Sequence, residues 1–334
     1  MHELRKNQSD LSNQNIGDKE AIVIGKNLRI NSTSQYLYLN INHIGDEGTK
    51  ALSQSLQFNS SLKILNLNRN LIEYDGSEAI AQALRTNTTL QVLYLDHNRI
   101  GDEGAKALSQ SLQFNSSLNT LELVSNQIGD NGTEDIAQAL RTNTTLRELD
   151  LGHNRIKYNG AKAISEALKI NDTLRKLYLN HNQIGDNGAI SIGQGLQTNR
   201  TLHELYMAHN RIGKKGAQAI GQALQINNTL QSLTLSGNRI GNNGVKDIFK
   251  SLLFNSSLNI LGIDNTHIRN TAAKNFINVL KINFSLDQYV LGSNYINDSY
   301  IQIIVDLLDI NSDIPSPAYY DKVKRRQIYL NIIL

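Results

Sequence analysis

Apolar positions along the chain fall into one short pattern that recurs. In residues 90–117, LQVLYLDHNRIGDEGAKALSQSLQFNSS, Leu90, Leu93 and Leu95 alternate as on a strand, and Asn98 and Ile100 follow as a turn. Ala105, Leu108 and Leu112 then recur at helical spacing, with Asp102 placed to cap that helix at its start. Asn115 falls where the helix must stop, and asparagine tolerates the left-handed conformation that ends helices. The row predicts strand, turn, helix, turn. A single row cannot bury its apolar face, whereas stacked rows share a continuous core.

Written in rows of 28, the chain aligns without an insertion. One column holds Asn42, Asn70, Asn98, Asn126, Asn154, Asn182, Asn210, Asn238 and Asn294, broken only by Thr266. A second runs from Asn31 through Asn59, Asn87, Asn115, Asn143, Asn171, Asn199, Asn227, Asn255 and Asn283 to Asn311. The length of 334 residues by itself suggests two domains, but two registers at one period, with a single break between them, argue for one solenoid. IAQALRTNTTL at 80–90 recurs identically at 136–146, so a two-row unit of 56 residues has been duplicated. Residues 1–36 read as a capping partial repeat with Gln14 at the asparagine position, and 37–311 as the repeats. At 314–319 the expected strand reads IPSPAY, and proline cannot donate to a sheet ladder. The remainder of 312–334 is either a helix capping the open core or a basic patch (Lys322, Lys324, Arg325, Arg326) for nuclear import or an anionic surface.

The spacing LxxLxLxxN followed by a helix resembles the leucine-rich repeats of the ribonuclease-inhibitor type. LYLDHNRIGDEGAKALSQSL at 93–112, ending in NSSL at 115–118, is most similar to the repeat regions of NOD-like receptors, and the likeness covers residues 9–311. It implies an α/β horseshoe with parallel strands on the concave face and helices on the convex face. It also implies a protein-binding role without the nucleotide-binding domain those receptors carry.

The 42 asparagines need a reason. Ten of the second column sit in the sequon N-x-[ST], which read alone suggests glycosylation. Helix-ending turns at fixed spacing account for the same residues, with the following hydroxyl bonding the backbone. In the first column, the amide satisfies buried backbone where strand becomes loop, and loss of Asn154 is expected to cost about 1–3 kcal/mol.

The chain has no cysteine, which excludes disulfide scaffolds, thiolate metal sites and cysteine nucleophiles. A net charge of +3 is too mild to argue for nucleic acid. No h-region opens the chain and no long apolar run follows, so a cytoplasmic monomer without a membrane partner is expected, a secreted effector remaining open. No P-loop, G-x-S-x-G or H-E-x-x-H occurs, and the expectation is no enzyme and no cofactor. His97, His153, His181 and His209 precede the ladder asparagine in a column about 4.8 Å per step, close enough for a shared metal, yet tandem duplication alone explains them and no metal site is assigned. Arg99, Arg155, Arg211 and Arg239 follow that asparagine and are similar to the loop arginines of RanGAP-type GTPase-activating repeat proteins, the alternative function. Four rows offer an equal candidate, and the acidic tail of that family is absent.

The face expected to bind is the concave sheet, read at positions 92, 94, 96 and 97 of each row. Tyr38, Tyr94, Tyr178 and Tyr206 share a column there, and tyrosine is a common interface anchor. Asp96, Glu122, Glu148, Asp150, Glu204 and Asp264, against Arg69 and Lys176, leave the face at −4 (two minus six). A protein partner with a basic contact surface is expected across rows 92–209, with His97, His153, His181 and His209 among the exposed positions of that face.

Overall fold

The structure, a computed structural model, describes residues 8–312, which divide into two compact units at Asn182 and Gln183. In the first unit, strands β1 (Gln8–Asp10), β2 (Tyr36–Tyr38), β3 (Ile64–Asn66), β4 (Val92–Tyr94), β5 (Thr120–Glu122), β6 (Glu148–Asp150) and β7 (Lys176–Tyr178) pair in parallel, in sequence order. Helices α1 (Asp18–Ile30), α2 (Asp46–Leu56), α3 (Tyr74–Leu84), α4 (Gly101–Leu112), α5 (Asp130–Leu140) and α6 (Tyr158–Leu168) alternate with them. The second unit continues with α7 (Gly185–Thr198), β8 (Glu204–Tyr206), α8 (Lys214–Leu224), β9 (Ser232–Thr234), α9 (Gly241–Ser251), β10 (Ile260–Gly262), α10 (Asn270–Leu280), β11 (Gln288–Val290) and α11 (Asp298–Ser312). Each unit has the α/β repeat architecture, short parallel strands alternating with helices row by row. Within the expected N-terminal partial repeat, residues 8–30 supply a strand (β1) and a helix (α1), and the basic segment at 322–326 lies outside the described residues.

Leu93, Leu95, Ile100, Ala105, Leu108, Leu112 and Leu118 are all buried, as are their equivalents one row away. Fully burying a leucine contributes about 1.5–3 kcal/mol, and each row shares that gain with its neighbours. Strands of only three residues suffice because the register is exact from row to row: Leu37, Leu65, Leu93, Leu121, Leu149 and Leu177 pair in succession beneath an open face.

Asp102 does not cap its own helix, as its position in the row suggests. It lies inside the first turn of α4, and its carboxylate accepts from Gly129 N of the next row at 2.6 Å. The same device recurs. Asp18 accepts from Gly45 N (2.7 Å) and Gly48 N (2.9 Å), and Asp46 from Glu73 N (2.8 Å) and Gly76 N (2.9 Å). In the second unit Asp186 holds Gly213 N (2.7 Å) and Gly216 N (2.8 Å). Each aspartate thus satisfies the orphan N–H groups at the start of the following helix, and the capped residue there is extended (φ −95° at Gly45, −112° at Glu73, −107° at Gly213).

Where the column lacks a carboxylate or amide, the next helix starts another way. Tyr74 stands one row before Gly101, and Lys214 one row before Gly241; both glycines have φ +64°. Gly101 N then donates to Asn126 O (2.9 Å) and Gly241 N to Thr266 O (2.8 Å), and the helix begins one residue earlier. Without a side-chain acceptor on the preceding row, the backbone turns left-handed to reach a carbonyl instead, which glycine does at no steric cost.

The first asparagine column is a buried hydrogen-bond ladder. Asn154 Oδ1 accepts from Asn126 N and Ile128 N, both at 3.0 Å, while its Nδ2 donates to Leu123 O (2.9 Å) and Leu151 O (3.2 Å). The second column does not end helices in the left-handed conformation; Asn31 and Asn199 are extended at φ −80° and −64°. Instead Asn87 Nδ2 donates to Leu56 O (2.8 Å) and Asn59 O (3.0 Å) in the row before, and its Oδ1 takes Thr89 N and Leu90 N. Both amide protons of the sequon asparagine are committed and buried, which leaves no nitrogen for a glycan in this packing.

Candidate functional site

The open face of the first unit is set by register. Tyr38, Asn66, Tyr94, Glu122, Asp150 and Tyr178 are successive partners across β2 to β7. Two carboxylates on neighbouring strands are therefore bracketed by Tyr94 on one side and Tyr178 on the other. Glu148 faces Lys176 in the adjacent column, and Asp96 completes the acidic group from just beyond β4. These side chains are all half-buried.

Asp96 is fixed by its neighbours. Its carboxylate accepts from Val124 N (2.8 Å) and Asn68 Nδ2 (2.9 Å), and Asn68 Oδ1 accepts in turn from Asp96 N (2.6 Å). Asp150 accepts from Gly152 N at 2.7 Å. Burial pushes the Asp150 carboxyl up to about 6, and it also raises that of Asp96. Glu122 goes furthest, to about 8, first through burial and then through the charge of Asp96, to which its protonated form donates a hydrogen bond. The remaining charges acting on Glu122 are those of Asp150 and Glu148. At neutral pH Glu122 therefore holds its proton, and the face is less negative than a count of its acids gives. Burial, with Glu122 and Glu148 nearby, also raises the Tyr94 phenol.

The histidines stand elsewhere than the sequence places them. His97, His153 and His181 are not strand residues: with φ of 53–54° they occupy a left-handed turn past the strand end, as do Ile41, Arg69 and Ser125 in their rows. Histidine enters this region more readily than most residues. The turn buries the following asparagine and leaves the histidine exposed at the edge of the face. His153 and His181 stack with ring centroids 3.9 Å apart and planes 14° from parallel. Among the described residues no three His, Asp or Glu side chains are grouped to hold a metal ion.

In the second unit, Tyr206 Oη donates to Glu204 Oε2 (2.8 Å), so the expected anchor and the expected acid of that row are spent on each other. Asp264 accepts from Ser236 Oγ, and His209 occupies the same left-handed turn as its counterparts, its ring lying over Gly237. Two of the loop arginines are tied to neighbouring rows: Arg99 pairs with Glu73 (3.3 Å) and Arg155 Nη2 donates to Gln127 Oε1 (3.0 Å). Asn68 and Gly152, which fix Asp96 and Asp150, escape a reading of the sequence. Their one signal is that they share the face position of Asp96.

A family model described as Leucine Rich repeat matches residues 35–53, 58–81, 86–109, 114–137, 142–165, 171–193, 198–221 and 227–249. No curated protein matches the chain. Among solved structures, an internalin (inlF) from Listeria monocytogenes is similar over 91% of this chain and 86% of its own, at 19% identity and a TM-score of 0.50. The actin-binding site 2 of leiomodin-1 is similar over 52% of this chain and 94% of its own (24% identity, TM-score 0.42). The tropomodulin C-terminal domain of Caenorhabditis elegans covers 50% and 98% respectively (14% identity, TM-score 0.40). The family matches span more than half of the chain and coincide with its strand–helix rows, so the chain belongs to the leucine-rich-repeat family.

Proposed function

We propose that this chain is a non-enzymatic protein-binding scaffold that seats a basic protein segment on the open face of its first unit. Leucine-rich repeats serve generally as protein-interaction scaffolds. One observation carries the finer reading: Glu122 and Asp150 are side by side in register between two tyrosines, desolvated, with further carboxylates as the charges around them. A partner lysine or arginine placed there meets two acids and the faces of Tyr94 and Tyr178, a pairing of charge and cation–π contact typical of interface hot spots. The likeness of the rows to those of NOD-like receptors supports a free-standing sensing module of that kind, acting in the cytoplasm.

Seating a cation stabilises the Glu122 carboxylate and expels its proton. Affinity therefore rises with pH from 6 to 9, and Glu122→Gln removes both the charge and the pH dependence. The experiment is capture from cell lysate by wild type and by Tyr94→Ala/Tyr178→Ala, both shown by circular dichroism to be folded, followed by titration of the captured protein at several pH values and salt concentrations. Loss of capture in the variant, with a salt- and pH-dependent affinity in wild type, is the expected result. Capture of a small GTPase by both proteins would move the site to Arg99, Arg155, Arg211 and Arg239 and make this a GTPase-activating protein.

A further inference from the structure

The loops that end the helices carry a different pattern from the open face. In the first unit these are residues 29–33, 57–61, 85–89, 113–117, 141–145 and 169–173. They hold four cations, Arg29, Arg85, Arg141 and Lys169, against one acid, Asp172. The second position of the loop is a large apolar residue in four rows: Ile30, Phe58, Phe114 and Ile170, exposed to 83, 60, 67 and 54%. From the second loop on, the third position is a buried asparagine that ties the loop to the row before it, so these tips stand on a fixed base. The Arg29 guanidinium lies 4.3 Å over the Phe58 ring and that of Arg85 lies 5.5 Å from Phe114.

We propose that this edge of the first unit rests on an anionic lipid surface, with Phe58 and Phe114 dipping among the headgroups and the arginines over them meeting lipid charge. Thr86 and Thr142 separate the apolar tips, so they do not merge into the single strip a helix of another protein would fill. A fluid interface accepts each tip separately. Arginine stems spread over aromatic rings hold the charge at headgroup height while the ring goes deeper. No helix among the described residues is long and apolar enough to cross a membrane, so the contact is peripheral. The second unit, taken alone, shows the same chemistry: Ile226, Phe254 and Ile282 are each more than half exposed, and residues 197–201, 225–229, 253–257 and 281–285 hold Arg200 and Lys281 but no acid. The sequence, lacking a spanning segment, points away from membranes; the proposal departs from that expectation on the exposure of these side chains.

The test is co-sedimentation of the full chain with vesicles of phosphatidylcholine alone and with about 30% phosphatidylserine added, the anionic headgroup of the cytoplasmic leaflet. Binding is expected only to the anionic vesicles, weakening with salt, and Phe58→Ser/Phe114→Ser should lower the partition at least about tenfold. Arg85→Gln/Arg141→Gln should lower it similarly. Both pairs of sites are exposed, so the variants keep the fold, checked by circular dichroism. Equal binding to both vesicle types, or no binding, overturns the proposal. So does anionic binding that the phenylalanine variant retains, which would mark the edge as a surface for an acidic protein. Tyr94→Ala/Tyr178→Ala should bind vesicles as wild type does, so this result stands apart from the fate of the open-face reading.

Discussion

Thr266, the one break in the asparagine ladder, leads to a quantitative test. In the row of α5, whose helix starts from an extended, aspartate-capped residue, the ladder amide accepts from two backbone groups: Asn154 Oδ1 holds Asn126 N and Ile128 N at 3.0 Å. In a row that starts from a left-handed glycine the demand is smaller. Asn126 Oδ1 meets Ile100 N at only 3.4 Å, because Gly101 N has already taken the Asn126 carbonyl at 2.9 Å. Thr266 sits opposite such a glycine, Gly241, and its hydroxyl keeps the bond to Ile263 O within its own row. Threonine is tolerated there because it gives up an acceptor that this row barely uses. The same substitution should then be mild at Asn126 and severe at Asn154. Asn154→Thr leaves two buried N–H groups without their acceptor, at about 1–3 kcal/mol each, or about 2–4 kcal/mol after partial relaxation. Asn126→Thr strands one weak bond and loses the donation to Leu95 O (2.8 Å), about 1–2 kcal/mol. Urea unfolding followed by circular dichroism at 222 nm should resolve the difference as a shift in midpoint with little change in slope. Equal destabilisation by the two variants would refute the coupling of ladder and helix start.

Two further outcomes follow from the same geometry. Gly101→Ala should cost about 1–2 kcal/mol through backbone strain alone, since an added methyl there meets nothing within 4 Å; adding Tyr74→Asp supplies the carboxylate that caps Gly45 and Gly48 elsewhere, and the double variant should recover part of the loss in urea unfolding. Glu122, at about 8 in the fold against 4.5 ordinarily, keeps a proton that the unfolded chain has lost, so its contribution is full below pH 4.5 and is lost as pH rises through 8; the unfolding midpoint should fall between pH 5 and pH 9, and a slope unchanged in Glu122→Gln would show that this carboxyl is not the source.

The rows, their strand–helix content and the buried leucines were legible in the chain because each depends on local spacing, and a period of 28 repeated so often leaves one way to stack. The two asparagine columns announced themselves for the same reason. What they bond to did not, since a carbonyl of the previous row is 28 to 31 residues away in sequence. Asp102 read as a cap and is one, but for the neighbouring helix; only stacking decides which helix an acceptor reaches. The tyrosine column and the acids were visible as residue types. That Glu122 retains its proton was not, because the protonation state depends on how deeply Asp96, Glu122 and Asp150 are packed together across three rows. His97, His153 and His181 were misplaced for a local reason: a left-handed turn after the strand rotates that position off the sheet, and nothing in the residues before it marks the turn. The exposed Phe58 and Phe114 occupy positions the sequence reading passed over. A phenylalanine reads as core until stacking shows that the asparagine beside it went inside instead.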